Sequence, residues 1–138
     1  MTGMDEADNR SDDALARLLA IVARLRGEDG CPWDRKQTPA TLKKYLLEET
    51  AELAEAIDSG DPDHIREEIG DCFFILAMLT TMFREQGLFA ATDALEDIIA
   101  KMIRRHPHVF ADQTAGSEQE LRRQWEEIKA GEKRPPSS

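Results

Sequence analysis

Apolar residues in this chain recur at three- and four-residue intervals rather than in alternation, which predicts helices throughout and neither strand nor repeat. The first helix is expected from about Asp12 to Arg26, with Leu15, Leu18, Leu19, Val22 and Leu25 on one stripe and Gly27 and Gly30 ending it. A loop carrying CPWDRKQ follows. Thr38 then supplies an N-cap and Pro39 a first helical residue, so a second helix should reach Ile57 or Asp58 and stop at Ser59-Gly60. Asp61 and Pro62 repeat the signal for a third helix that runs to about Gln86, before Gly87. A fourth helix fits Thr92 to Arg105, ahead of Pro107. The last starts at Ser117, where Ser117-x-x-Glu120 forms a capping box, and ends near Ala130-Gly131.

The third helix carries two apolar faces. Ile65, Ile69, Cys72, Leu76, Leu79 and Phe83 make the main stripe, and Ile75, Met78 and Met82 make a second face that also carries Asp71. A helix apolar nearly all round is expected to be buried all round, so in a small domain it should lie between its own partners and a second subunit, most simply in a homodimer. The expected fold class is all-α: a bundle of about four to five helices over residues 12–130, its core completed by oligomerisation. The polar, aperiodic segments 1–11 and 131–138 are expected to be disordered tails.

Composition narrows the function classes. A chain of 138 residues fits one domain able to bury roughly two-thirds of its unfolded surface. Eighteen basic against twenty-eight acidic residues, a net charge of -10, argues against binding nucleic acid or an anionic membrane. The longest apolar run, Cys72 to Phe83, is shorter than the roughly 20 residues of a membrane span, and the acidic N-terminus is unlike a signal peptide. A soluble cytoplasmic protein is therefore expected. Cys31 and Cys72 lie in unrelated contexts and suggest neither a disulfide framework nor a CxxC metal site.

Within that acidic balance four carboxylates form two short-spaced pairs, Glu49 with Glu52 and Glu68 with Asp71, and Glu48 stands beside the first. Three-residue spacing puts each pair on one helical face. Projection at about 100° per residue sets Glu49 in the middle of the stripe Leu42, Leu46, Leu53 and Ile57, with Glu52 at its edge and Glu48 further round. Glu68 only flanks the stripe of its helix, an ordinary position, and Gly70 allows a close approach beside it. Alone, Glu48-Glu49-x-x-Glu52 reads most simply as a solvated face. A glutamate on an apolar stripe matched by a second pair on the next helix points instead to a cation site. All-oxygen ligands favour Mg²⁺, or Mn²⁺, over zinc. No histidine lies three residues after a glutamate, against a di-iron bundle, and the twelve-residue loop of an EF-hand is missing. Metal-assisted attack of water on a phosphoryl group is the chemistry expected.

Basic groups lie downstream. Lys101 and Arg105 share a helical face near Arg104, His106 and His108, an arrangement that suits a polyphosphate and also suits simple placement of cations at a helix C-terminus. Trp125 and Lys129 repeat the four-residue spacing, where an aromatic face and an ammonium could receive base and phosphate; an isolated tryptophan on such a helix is equally a core residue.

The segments CPWDRKQT (31–38), LLEETAELAEAI (46–57), REEIGD (66–71), RRHPHVFAD (104–112) and QWEEIK (124–129) resemble the MazG nucleoside triphosphate pyrophosphohydrolases. The EExxE and ExxD elements are shared by the wider all-α pyrophosphatase superfamily, including dimeric dUTPases and phosphoribosyl-ATP pyrophosphohydrolases; CPWD and RRHPHVF in this order make the resemblance specific. It implies a helical homodimer or higher oligomer that uses Mg²⁺ to hydrolyse a (deoxy)nucleoside triphosphate to monophosphate and pyrophosphate. By resemblance Glu49, Glu52, Glu68 and Asp71 match metal ligands, and Glu48 matches the acidic position that orients or deprotonates the attacking water. Lys101, Arg105, Trp125 and Lys129 match nucleotide-associated positions, while Trp33 and Asp34 match a signature to which the resemblance assigns no role. Some relatives carry two tandem copies of the domain where this chain has one. A dUTP- or phosphoribosyl-ATP-specific enzyme, or a catalytically silent helical module that binds a partner, are the alternatives.

Overall fold

The computed structural model describes residues 2–111 and 116–132, with side chains from residue 14 onward. Seven helices and no strand occur among them: α1 (Thr2–Leu25), α2 (Pro32–Arg35), α3 (Pro39–Ser59), α4 (Pro62–Glu85), α5 (Ala91–Arg105), α6 (Pro107–Phe110) and α7 (Glu118–Gly131). No helix among the described residues is long and apolar enough to cross a membrane.

The punctuation of the sequence sets most boundaries. The Thr38 hydroxyl accepts from the Thr41 backbone N–H while the Thr41 hydroxyl accepts from the Thr38 N–H, a reciprocal cap on α3. Gly60 closes α3 in the left-handed region at φ 73°, which a side chain would resist, and Asp61 caps α4 by accepting from the Asp63 N–H. Ser117 caps α7 through the Glu120 N–H. Three expectations change. Residues 2–11, read as an irregular tail, continue α1, because hydrophobic periodicity detects only the part of a helix that has a face to bury. Gly131 belongs to α7, and Glu132 is held by side chains of α5; residues 133–138 lie outside the described residues. Finally, α2 and α6 are single turns begun by prolines, α2 inside the segment read as a loop, and both are too short to display any period.

The contacts of the chain group into two compact units, with the boundary between Ala91 and Thr92. In the first, α3 and α4 form a helical hairpin across Gly60 and Asp61, and α1 packs on α4. Val22, Leu42, Ile75, Ala77, Met78 and Met82 are its buried core, with Leu18, Leu19, Tyr45, Leu46, Phe74 and Leu79 around them. The second apolar face of α4 is thus the one that makes the core, while Ile69 and Leu76 of the supposed main stripe are exposed. In the second unit none of α5, α6 and α7 contributes a fully buried residue.

Candidate active site

The α3–α4 hairpin brings the carboxylate pairs together. The Cys72 thiol on α4 donates to the Glu49 carbonyl on α3 at 3.7 Å, fixing the register in which the two helices face each other. One carboxylate oxygen each from Glu49, Glu68 and Asp71 then lie within 4.8 Å of one another. Glu49 is half-buried, Asp71 is exposed, and Glu68 is only 8% exposed. Glu49 is thus the most buried of the three glutamates on α3, as expected, with Glu52 and Glu48 both exposed, whereas the burial of Glu68 is more than a one-helix projection indicates.

The electrostatics are those of an unneutralised anionic pocket. Oε2 of Glu49 and Oε2 of Glu68 are both buried without a hydrogen-bond partner among the described residues. Burial pushes the Glu49 carboxyl above the usual range, and the charges of Glu52, Asp71 and Glu68 add to the effect. Burial does the same to Glu68, reinforced by Glu52 and Asp71 and opposed by His64, whose Nε2 lies 3.4 Å from Glu68 Oε1. The Cys72 thiol is also pushed up, by burial and then by Glu49, Asp71 and Glu68, which keeps it neutral. Glu52 is exposed and sits outside the tight trio, yet its charge acts on both Glu49 and Glu68. Glu48 is exposed and turned to Lys44, its Oε1 3.9 Å from the Lys44 Nζ. His64 was legible only as an i, i+4 neighbour of Glu68. Orphaned buried oxygens, mutual repulsion and an all-oxygen donor set fit a hard divalent cation.

The second unit has a cleft of its own, about 410 Å³, lined by Arg105, His106, His108, Arg122, Trp125 and Glu126 among others. The Arg105 guanidinium lies 5.1 Å from the Trp125 ring centroid, and the His106 ring meets Trp125 edge-on at 5.2 Å. Glu132 clamps the arginines: its Oε1 accepts from Arg105 Nη2 at 2.7 Å and its Oε2 from Arg104 Nε at 2.5 Å. These bonds pull the Glu132 carboxyl down to about 2. Of the four expected nucleotide-associated residues, Arg105 and Trp125 come together here; half-buried Lys101 and exposed Lys129 do not line the cleft. Glu132 lay in what reads as a tail, where no pattern marked it.

An all-helical protein with three converging carboxylates on a helical hairpin defines a class: helical domains able to ligate a divalent cation. More narrowly, residues 37–110 match the MazG nucleotide pyrophosphohydrolase domain, and the chain belongs to that family. It is 47% identical over 120 residues to a nucleoside triphosphate pyrophosphohydrolase of Escherichia coli strain K12, covering 86% of this chain and 46% of the relative. It is 46% identical over 116 residues to the nucleoside triphosphate pyrophosphohydrolase/pyrophosphatase MazG of Thermotoga maritima, covering 84% and 44% respectively. An uncharacterized protein of Bacillus subtilis, YabN, is 44% identical over 124 residues, 90% of this chain and 25% of that protein. The chain thus spans less than half the length of these curated relatives. The crystal structure of a mazG-related protein from Thermotoga maritima matches with a TM-score of 0.70 and 31% identity, over 83% of this chain and 98% of that one.

Proposed function

We propose that the chain is a Mg²⁺-dependent nucleoside triphosphate pyrophosphohydrolase that converts a (d)NTP to the (d)NMP and pyrophosphate in the cytoplasm, clearing unwanted nucleotides, with Mn²⁺ an acceptable substitute. The observation that carries this reading is the convergence of Glu49, Glu68 and Asp71, with two buried oxygens that no donor among the described residues satisfies. Glu49, Glu68 and Asp71 are the ligands, and Glu52, beside Glu49, completes the set. When bound there, the cation supplies polarisation of a phosphoryl oxygen and neutralises phosphate charge. Glu48, one residue before Glu49, is assigned the proton of the attacking water, for which its carboxylate must turn from Lys44. Lys101, Arg105, Trp125 and Lys129 are assigned to the nucleotide.

A homodimer or higher homo-oligomer belongs to the same proposal. Ile69, Phe73 and Leu76 stand exposed on α4, and Phe73 borders an apolar hollow of about 400 Å³ floored by Ala14, Leu15, Leu18 and Gly70. A second copy of the chain is the occupant that would bury this face.

Replacement of Glu49 or Asp71 by Ala tests the activity. Release of pyrophosphate from nucleoside triphosphates should fall by more than about a hundredfold in a variant with an unchanged circular dichroism spectrum. Wild-type turnover in either folded variant would remove the mechanism.

A further inference from the structure

The turn between α1 and α3 is held more firmly than a connection requires. Arg26 Nη1 donates to the carbonyls of Asp34 at 2.6 Å and Gln37 at 3.1 Å, while its Nε and Nη2 donate to the Glu85 carboxylate at 2.9 and 2.8 Å. Buried Gln37 donates from Nε2 to the Trp33 carbonyl at 3.0 Å and accepts from the Thr41 hydroxyl at 2.8 Å. The Cys31 N–H donates to the Leu25 carbonyl at 2.8 Å. Gly30 lies so close under α1 that an added Cβ would sit 2.1 Å from the Leu25 oxygen and 2.4 Å from that of Arg24. With Asp34 also buried, α2 is a rigid single turn.

What this turn leaves outside is an indole. Trp33 is 43% exposed, although a side chain of that size normally gains by being covered. Its ring meets Tyr45 edge-on, with centroids 5.7 Å apart and planes at 68°. Tyr45 lies on α3 four residues before Glu49, hence on the same face and about 6 Å along the axis. Tyr45 therefore stands one helical turn before Glu49, with the half-open indole of Trp33 against its ring.

We infer that Trp33 determines affinity for the nucleoside half of the substrate, presenting a fixed indole face on which the base packs while the carboxylates deal with the phosphates. The inference rests on the pyrophosphohydrolase reading above. Preorganisation explains the over-determined turn, since a ring already held in place loses little freedom when it is stacked upon. Stacking also accepts any base, because each has a π face, so Trp33 adds affinity common to purines and pyrimidines.

The test uses the full chain with Mg²⁺ and two probes in calorimetry: an α,β-methylene nucleoside triphosphate, and tripolyphosphate, which has no base. Trp33→Ala should weaken the nucleotide analogue roughly tenfold and leave tripolyphosphate unchanged, and Trp33→Phe should keep most of the affinity. In turnover, KM should rise with kcat little altered. An unchanged affinity for the analogue in a folded Trp33→Ala protein overturns the inference. So does equal loss of both probes without rescue by Phe, or a change confined to sedimentation behaviour, which would make Trp33 a packing or subunit contact. Wild-type protein that binds tripolyphosphate yet cleaves no nucleoside triphosphate overturns the parent reading, and the role of Trp33 with it.

Discussion

Glu68 has the most to lose from being charged. It is buried, one oxygen lacks any donor, and Glu52 and Asp71 repel it. A carboxyl whose folded-state pKa is raised binds its proton more tightly in the folded protein than in the unfolded one. The stability associated with that proton is present at low pH and lost as pH rises through the raised value. Glu49 behaves in the same way. In chelator, Glu68→Gln should therefore melt higher than the wild type at about pH 8, and the two should converge as acid protonates Glu68. The same variant should lose pyrophosphate release, and Mg²⁺ should stabilise the wild type more as pH rises, because fewer protons then compete for the same oxygens. Thermal melts across pH with and without Mg²⁺ decide this; a variant that melts lower in chelator at every pH would refute it. The candidate ligands were legible as residue types and spacing, but the burial of Glu68 was not, because burial depends on how α4 packs against other helices and not on its own periodicity.

Among the elements, residues with a single local job were readable and those whose job is long-range were not. Thr38 with Pro39, Asp61 with Pro62, and Ser117 mark helix starts through the backbone N–H groups that need an acceptor or are absent, and each start falls where these residues place it. Which face of α4 turns inward was not readable, since both are apolar and the choice of Ile75, Met78 and Met82 depends on α1 and α3. Gly30 was legible as a helix terminator, not as a point of contact with α1. Two substitutions separate these kinds of role. Thr38→Ala should cost about 1 kcal/mol, the ordinary value of an N-cap. Gly30→Ala forces a methyl against backbone oxygens and should cost about 1–3 kcal/mol, as overpacking does. Urea denaturation measures both, and a neutral Gly30→Ala would mean that the turn yields.

For the molecule as a whole, the all-α class followed from periodicity alone, because no segment alternates and seven helices account for the described elements. The apolar residues left on the surface bear on assembly. Besides Ile69, Phe73 and Leu76 on α4, α5 exposes Leu95, Ile98, Ile99 and Ile103. Faces of this kind are seldom left to water. Sedimentation at micromolar concentration should find a dimer or larger species, and Phe73→Glu should shift it toward monomer; a wild-type monomer would refute the assembly proposed above.

The clasp of Arg26 also has a consequence in time. Arg26 and Glu85 are 59 residues apart, whereas caps and helical turns close over three or four, so their bond can form only after α1 and α4 have paired. A contact made that late lies on the native side of the folding barrier. Glu85→Gln, which weakens this long-range bond and leaves the local bonds of Arg26 to Asp34 and Gln37 in place, should therefore leave the folding rate nearly unchanged and accelerate unfolding, visible in a stopped-flow chevron as a shift of the unfolding arm alone. The bond would then govern how long the folded chain lasts, with little influence on how quickly it is reached.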